Sequence, residues 1–160
     1  MIDKVQKITP FLWFGGEAEE AANFYVSIFK NSAVKKVVSY GEAGPAPVGS
    51  TMTVEFELEG IEFTALNGLP DIEFNQAVSF VVNCESQEEV DYFWEKLADN
   101  GEEQVCGWLK DKYGLSWQVV PTILIDYLSD TDPEKVKKVT EAMLKMVKIN
   151  ISLLKKAYEQ

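Results

Sequence analysis

The side chains that could carry chemistry in this chain are few, because its 160 residues include no histidine. The absence of imidazole excludes Ser-His and Cys-His dyads, histidine general acid–base catalysis and histidine metal ligation. The two cysteines, Cys84 and Cys106, could form at most one bridge, so we expect free thiols in a reducing cytoplasm. Cys106 is the candidate nucleophile, although few cations stand near it in the sequence to stabilise a thiolate.

Two short motifs invite a chemical interpretation that their context does not favour. Asp71 and Glu73 could form an acid–base pair, but beside Pro70 they are typical of a solvated loop. Gly15 and Gly16 follow a strand-like run and precede a helix-like run, as in nucleotide-binding loops. Their spacing matches neither G-x-G-x-x-G nor a Walker A motif, so we interpret them as a turn.

The elements that must position such residues follow a strand–helix–strands order in the first half of the chain. An apolar, aromatic run ended by Gly15-Gly16 predicts a strand over 8–14. Further strands are predicted over 34–40, 51–58 and 61–67, the middle one of which alternates apolar and polar residues. A helix is predicted from Glu17, because apolar residues then recur at helical spacing and acidic residues fill its first turn. Glu59-Gly60 is a tight hairpin signal between the last two strands.

The same order of elements occurs a second time. A strand is predicted from near Gln76, and Ser86 with Glu89 matches a capping box that opens the next helix. The stretches 103–109 and 115–120 predict strands joined by a turn at 111–114. A shift of the chain by about 69 residues pairs Phe11 with Phe80, Phe24 with Phe93 and Asn31 with Asn100, and the repeated order of elements is the stronger evidence. We therefore predict a duplicated module.

The residues after Pro121 predict a helical extension over 122–160. Residues 122–128 are apolar, Asp132-Pro133-Glu134 is a helix start with proline in the first turn, and Asn150 is a candidate cap for a last helix. Interspersed acidic residues argue against a membrane-surface or calmodulin-like role for these helices. We expect them to cover part of a sheet.

Overall composition limits the partners of the chain. Its net charge of −11 opposes binding to nucleic acid, because affinity for phosphate backbones comes from Lys and Arg. With 46% hydrophobic residues it has the material for a core, and no apolar run approaches the roughly 18 residues that a membrane span needs. The N-terminal stretch 1–7 lacks the pattern of a signal peptide, so we expect a globular, cytoplasmic protein.

Five runs of sequence resemble one known family. They are 8–14 (Ile-Thr-Pro-Phe-Leu-Trp-Phe), 18–25, 63–68, 74–80 and 107–121 (from Gly-Trp-Leu-Lys-Asp-Lys-Tyr-Gly). Together they resemble the PhnB-like family, often labelled 3-demethylubiquinone-9 3-methyltransferase, of the glyoxalase/bleomycin-resistance/dioxygenase (vicinal oxygen chelate) superfamily. The methyltransferase label fits poorly, because the chain lacks the Gly-rich first loop of a classical S-adenosylmethionine-binding domain.

The resemblance implies an α+β fold with two βαβββ modules, forming a curved mixed sheet around a cleft, plus the C-terminal helical extension. It implies a domain over 1–121, with modules at about 7–68 and 76–121, and a homodimer. Metal-using members of the superfamily take ligands from the first and last strands of each module. The matching positions here are Thr9 or Pro10, Ala65 or Asn67, Ala77 or Val78, and Gln118. All are neutral, so we predict no metal and no cofactor.

The same resemblance suggests which residues face a ligand. If Thr9 points into the pocket, strand alternation brings Phe11 and Trp13 there too, although core packing is the plain alternative for both aromatics. Asn67 and Gln118 would fix polar groups of the ligand. Cys106 and Trp108 share one face of their predicted strand, where either a pocket role or core packing is open, and they complete the predicted pocket of seven residues.

Three functions remain open from the sequence. The first is a non-metal protein that binds a small, partly aromatic molecule in its cleft. The second is an enzyme of the methyltransferase, lyase or isomerase type that acts on a small carbonyl or quinone-like substrate through water, Cys106 or Tyr113, which rests on fold analogy alone. The third is an interaction module whose dimer surface is its purpose.

Overall fold

The structure is a computed structural model that describes residues 5–160. Residues 1–4 of the predicted domain, and of the stretch examined for a signal peptide, lie outside the described residues. The chain divides into two compact units with the boundary between Glu73 and Phe74. Each unit contains a four-stranded mixed sheet and a helix in βαβββ order, so the predicted α+β fold with two modules is confirmed.

The first unit has the sheet order β1-β4-β3-β2. Its elements are β1 (Phe11–Phe14), α1 (Ala18–Ile28), β2 (Ala33–Ser39), β3 (Thr51–Leu58) and β4 (Ile61–Asn67). Strand β1 runs parallel to β4, and the other pairs are antiparallel. The hairpin between β3 and β4 turns at Glu59 and Gly60, whose φ angles of 48° and 82° give the left-handed turn that the sequence predicts.

The core of the first unit lies between α1 and one face of this sheet. Strand β1 buries Leu12 and Phe14, and the buried stripe of α1 includes Tyr25. The Tyr25 ring lies 6.2 Å from that of Phe56 on β3, which in turn lies 5.4 Å from that of Phe63 on β4. Strand β1 is shorter than the predicted 8–14: its register with β4 begins at Phe11, the Pro10 carbonyl accepts one hydrogen bond from the Thr64 N–H at 3.0 Å, and Ile8 is exposed.

The second unit repeats this arrangement with the sheet order β5-β8-β7-β6. Its module consists of β5 (Ser79–Cys84), α2 (Gln87–Leu97), β6 (Glu102–Glu103), β7 (Trp108–Lys110) and β8 (Ser116–Pro121). The predicted helix cap is confirmed, because the Ser86 Oγ accepts a hydrogen bond from the Glu89 backbone N–H at 3.2 Å. Val90 and Trp94 on α2 are buried with Trp117 on β8 in the core of this module.

The predicted strand over 103–109 is wrong in its middle. A single 3-10 turn, Val105–Gly107, separates β6 from β7. Both Cys106 and Gly107 have positive φ, 60° and 79°, so this backbone cannot continue a ladder. We call this turn the 105–107 bulge. The Gln104 N–H donates to the Trp108 carbonyl across it at 2.9 Å, so the chain resumes its course in β7.

The helical extension predicted after Pro121 belongs to the second unit. It contains α3 (Thr122–Leu128), α4 (Pro133–Met143) and α5 (Ile151–Glu159). Asp132 and Asn150 accept hydrogen bonds from the first turns of α4 and α5, as predicted. The core of the extension consists of Leu124, Val139, Met146, Ile149 and Leu154, with Val120 of β8 packed against it. None of the helices in the described chain combines the length and apolar content that a bilayer crossing requires.

Candidate functional site

The seven residues of the predicted pocket divide between the two units. In the first unit Thr9 is exposed just before β1, and Phe11 is 58% exposed. Trp13 lies on the same strand face as Phe11 and is half-buried, and its Nε1 donates to the Leu69 carbonyl at 2.9 Å. A Cβ atom at Gly68 would lie 2.2 Å from the indole, so this glycine is needed for the chain to pass over Trp13.

Asn67 does not share that face. The register pairs Trp13 with Leu66 and Phe14 with Asn67, so strand alternation points Asn67 away from the Phe11 and Trp13 side. Its Oδ1 accepts a hydrogen bond from the Ala18 N–H at 2.8 Å, which caps the start of α1. Its Nδ2 donates to the Thr51 carbonyl at 3.1 Å. The amide of Asn67 therefore has a structural role within the first unit.

Asn67 nevertheless borders a polar cavity of about 310 Å³ at the glycine turn. The cavity is lined by Gly15, Gly16, Glu19, Tyr40, Ala46, Ser50, Thr51, Asn67 and Gly68. Its polar groups bond to one another, because the Thr51 hydroxyl donates to Glu19 at 2.8 Å and the Tyr40 hydroxyl donates to the Asn67 carbonyl at 2.5 Å. Polar groups that already bond to one another have few hydrogen-bonding atoms left with which to recognise a ligand.

In the second unit the structure brings Gln118 and Trp108 together. Both lie opposite each other on neighbouring strands β8 and β7, and Val81 of β5 is the partner of Gln118 on its other side. The Gln118 Nε2 donates to the Ser79 Oγ at 2.9 Å. The Gln118 side-chain oxygen, Oε1, then remains as an acceptor, and the Ser79 hydroxyl hydrogen remains as a donor. Both groups are uncharged.

Ser116 adds a polar group to the same strand pair. It lies opposite Ser79 in the register and is fully buried, and its Oγ has no hydrogen-bond partner among residues 5–160. A buried hydroxyl without a partner costs free energy, and such groups in a native fold call for an explanation. Neither Ser116 nor Ser79 could be recognised from the sequence as a site residue, because a serine in a predicted strand carries no motif.

Trp108 and Cys106 border an open, largely apolar cavity of about 510 Å³ in the second unit. We call it the Trp108 cavity; its lining consists of Gln76, Gln104, Val105, Cys106 and Trp108. Three of these residues were missed by sequence reasoning: Val105 and the two glutamines, Gln76 and Gln104. An uncharged amide in a loop carries no motif, and only the fold brings the two together.

The polar side of the Trp108 cavity is a chain of hydrogen bonds. The Gln76 Nε2 donates to the Gln104 Oε1 at 2.5 Å, and the Gln104 Nε2 donates to Glu102 at 3.0 Å. The Lys110 ammonium lies 3.7 Å from the same carboxylate. The hydrogen bond from Gln104, followed by the charge of Lys110, lowers the pKa of Glu102. An amide whose N–H donates towards a carboxylate has a more polarised oxygen, which is a better acceptor. This effect passes from Gln104 to Gln76, the last amide of the chain of hydrogen bonds.

The two thiols differ in burial, and we expect Ellman's reagent to react fast with one thiol of the native protein, the less buried Cys106. Burial, followed by the charge of Glu89, raises the pKa of Cys84 to about 12 from 9.0, so this thiol should react only after unfolding. A Cys106→Ser variant should titrate no fast thiol, and fast reaction of that variant would contradict the assignment.

The raised pKa of Cys84 also predicts a pH dependence of stability. The contribution of the Cys84 thiol to the free energy of unfolding is fully present below pH 9.0, where the thiol is protonated in both states. This contribution is lost as the pH rises towards 12, because the thiol of the unfolded chain ionises first. The free energy of unfolding should therefore fall across this window, and less so in Cys84→Ala.

The positions that match metal ligands in the superfamily do not fit a transition metal. Ala65 is fully buried, Val78 is exposed, Asn67 caps α1 and Gln118 is bonded to Ser79. No three His, Cys, Asp or Glu side chains among residues 5–160 form a cluster that could hold a metal ion. Neutral amide and hydroxyl oxygens bind divalent transition metals poorly without a carboxylate or imidazole.

Three other residues considered from the sequence, Tyr113, Asp71 and Glu73, are not part of the Trp108 cavity lining. Tyr113 belongs to the turn between β7 and β8, where its N–H donates to Asp111 at 2.9 Å and the Lys112 ammonium lies 5.0 Å from its ring centre. Asp71 and Glu73 are exposed in the loop before β5. These placements match the turn and the solvated loop that the sequence favours.

Comparisons with known proteins agree with this architecture. Residues 6–120 match the model of the family described as 3-demethylubiquinone-9 3-methyltransferase. A putative 3-demethylubiquinone-9 3-methyltransferase, PhnB protein, from Bacillus cereus is 40% identical, with a TM-score of 0.67 over 72% of this chain and 99% of that one. Among curated proteins no match was found.

Two more distant structures share the fold. A protein from Pseudomonas aeruginosa is 20% identical, with a TM-score of 0.61 over 73% of this chain and 98% of that one. The fosfomycin resistance protein FosX of Listeria monocytogenes, solved with Mn(II) and sulfate, is 15% identical, with a TM-score of 0.53 over 74% of this chain and 92% of that one.

Proposed function

The chain belongs to the 3-demethylubiquinone-9 3-methyltransferase family, within the glyoxalase/bleomycin-resistance superfamily, and on that premise we propose that it binds a small, partly aromatic molecule without a transition metal. The observation that carries the proposal is the Trp108 cavity of about 510 Å³ in the second unit. A cavity of this size, mostly apolar with a few oriented polar groups, is typical of small-molecule sites.

The lining supports a neutral, planar ligand. The Trp108 side chain offers an aromatic surface on which a ring can stack, and Val105 adds an apolar surface. Gln76 offers a carbonyl oxygen strengthened by its hydrogen-bonded chain to Glu102, so the ligand would present an N–H or O–H donor there. Beside Trp108, Gln118 and Ser79 offer a further acceptor and donor.

Binding of a metal ion, such as the Mn(II) present in the FosX structure, is not part of the proposal. The strand position that matches the last metal ligand of metal-using members carries Gln118, and its amide already bonds to Ser79. Binding through neutral groups needs no catalytic residue.

A second candidate function is an enzyme acting on a small carbonyl or quinone-like substrate. The observation in its favour is that Cys106, the only cysteine outside the core, lines the Trp108 cavity. Turnover lost in Cys106→Ser, with ligand affinity kept, would support this candidate over simple binding.

Ligand binding can be tested with an uncharged aromatic probe, N-phenyl-1-naphthylamine, whose fluorescence rises in apolar sites. We expect saturable binding and a higher melting temperature, because a ligand that binds only the folded state stabilises it by RT ln(1 + [L]/Kd). At tenfold Kd this is about 1.4 kcal/mol, or a rise of roughly 3–6 °C for a chain of this size. No saturable binding would contradict the proposal, and a dimeric mass in that case would favour the interaction module.

The homodimer and the cytoplasmic location remain predictions of this proposal. Two free cysteines support a reducing compartment, because neither Cys84 nor Cys106 is bridged. Analytical ultracentrifugation of the untagged chain would measure the oligomeric state directly.

A further inference from the structure

We propose that the segment 146–151 of the C-terminal extension is a positioning element that holds one wall of the Trp108 cavity, an inference that rests on the proposed function. The wall in question is the 105–107 bulge. Two of its residues, Val105 and Cys106, line the cavity, and Trp108 follows directly.

The bulge is held by the backbone of this segment. The Cys106 N–H donates to the Met146 carbonyl and the Gly107 N–H donates to the Val147 carbonyl, both at 2.8 Å. The Cys106 thiol also points to the extension, 3.7 Å from the Met143 carbonyl. Cys106 has a φ of 60°, which a side chain with a Cβ atom rarely adopts, so these external bonds stabilise an otherwise unfavourable backbone.

The 105–107 bulge packs against the segment 146–151 with no free space between them. A Cβ atom at Gly107 would lie 2.9 Å from the Val119 carbonyl oxygen and 3.0 Å from Ile149 Cγ1. The bulge thus lies between β8 and Ile149, a fully buried residue of the extension core. A shift of the segment would therefore move the bulge with it.

The segment is in turn fixed to the module by Gln87, the first residue of α2. The Gln87 Nε2 donates to the Ile149 carbonyl at 3.1 Å, and its Oε1 accepts from the Ile151 N–H at 2.8 Å. An ion pair between Lys148 and Asp91 at 2.6 Å supports the same attachment. One side chain of the family domain therefore holds the segment at two backbone atoms.

This support comes from outside the matched family domain. The family model matches residues 6–120, whereas the carbonyls that hold the bulge belong to Met146 and Val147. The width of the Trp108 cavity, and hence the size of aromatic ligand it admits, is set by the extension.

The test compares Gln87→Ala with a matched control, Gln6→Ala. Gln6 makes the same kind of two-point amide contact in the first unit, donating to the Glu62 carbonyl and accepting from the Glu62 N–H. Hydrogen exchange of the Cys106 and Gly107 amides, with no ligand present, measures how strongly the segment stabilises the bulge against local opening. Binding of N-phenyl-1-naphthylamine measures the effect on the cavity.

In Gln87→Ala we expect the Cys106 and Gly107 amides to exchange at least about tenfold faster, because each opening needs less free energy once the segment is released. The Cys106 thiol should react several-fold faster with Ellman's reagent, and probe affinity should fall about fivefold. Gln6→Ala should change none of the three. Gln87→Glu keeps the acceptor for Ile151 but turns a carboxylate towards the Ile149 carbonyl and Asp91, to which the Gln87 Nε2 also donates at 3.1 Å, so it should also speed exchange at Cys106 and Gly107. Circular dichroism of both variants guards against a folding defect.

Two results would overturn the inference. One is unchanged exchange at Cys106 and Gly107 while the Ile151 amide exchanges faster, which would show that the bulge does not need the segment. The other is faster exchange with unchanged probe affinity. Failure of the probe to bind wild-type protein would instead overturn the proposed function, and the exchange measurement would still decide whether the segment holds the bulge.

Discussion

Replacing Asp111 with alanine is expected to lower the free energy of unfolding by about 3 kcal/mol, because it leaves several buried donors without an acceptor. Asp111 is 3% exposed in the turn between β7 and β8. Its Oδ1 accepts from the Tyr113 and Leu115 N–H groups at 2.9 and 3.1 Å, and its Oδ2 accepts from Trp117 Nε1 at 2.8 Å. The loss would appear as a lower urea midpoint at an unchanged m-value.

Two variants make the Asp111 result specific. Asp99→Ala, an exposed aspartate in the turn after α2, should change stability by less than about 0.5 kcal/mol. Asp111→Asn should cost less than alanine, since one oxygen can still accept from the backbone while the amide faces the Trp117 indole N–H. An alanine variant as stable as Asp99→Ala would show that the turn does not depend on this carboxylate.

Trp108→Ala is expected to weaken binding of N-phenyl-1-naphthylamine by about 30-fold, or about 2 kcal/mol. Trp108 is the largest side chain of the Trp108 cavity, and its removal deletes the aromatic surface beside Gln118. Fluorescence titration gives the affinity, and circular dichroism checks that β7 still folds.

The control variants for Trp108 separate stacking from general hydrophobicity. Trp108→Phe should keep most of the affinity, because it retains a ring. Tyr92→Ala, which removes a partly exposed aromatic side chain from α2 outside the cavity lining, should bind the probe like wild type. Equal affinity of Trp108→Ala and wild type would place the ligand elsewhere.

Local signals predicted most of the fold. Ser86, Asp132 and Asn150 cap their helices as expected, because a side-chain oxygen next to unpaired N–H groups needs no tertiary context. The β3–β4 hairpin forms at Glu59-Gly60 for the same kind of reason. Alternation also placed Phe11 and Trp13 on one face of β1, and the structure buries Leu12 and Phe14 on the opposite face.

What the sequence did not predict depends on tertiary contacts. The apolar run at 103–109 is typical of a strand, yet the carbonyls of Met146 and Val147, distant in sequence, hold a bulge there. Asn67 fits a pocket residue by analogy, but the register turns it to the start of α1. A register shift of one residue reverses every side chain of a strand, and periodicity does not define it.

The duplication illustrates the same limit. A shift of about 69 residues aligns α1 with α2, and Asn31 with Asn100, both of which have positive φ after their helices. Strands β1 and β5, which precede these helices, align only when the shift is one residue longer, because the buried Leu12 and Phe14 of β1 then match the buried Val82 and Cys84 of β5. Phe11 therefore corresponds to Val81, which pairs with Gln118, rather than to Phe80.

The metal content of the untagged protein, purified without chelator and measured by mass spectrometry after gel filtration, tests the central claim most directly. Gln118 stands where the sequence resemblance places a metal ligand of metal-using relatives, and here its amide is bonded to Ser79. We therefore expect below about 0.1 equivalent of manganese, iron, nickel or zinc. About one equivalent in wild type that is lost in Gln118→Ala would contradict a site built from neutral hydrogen bonds.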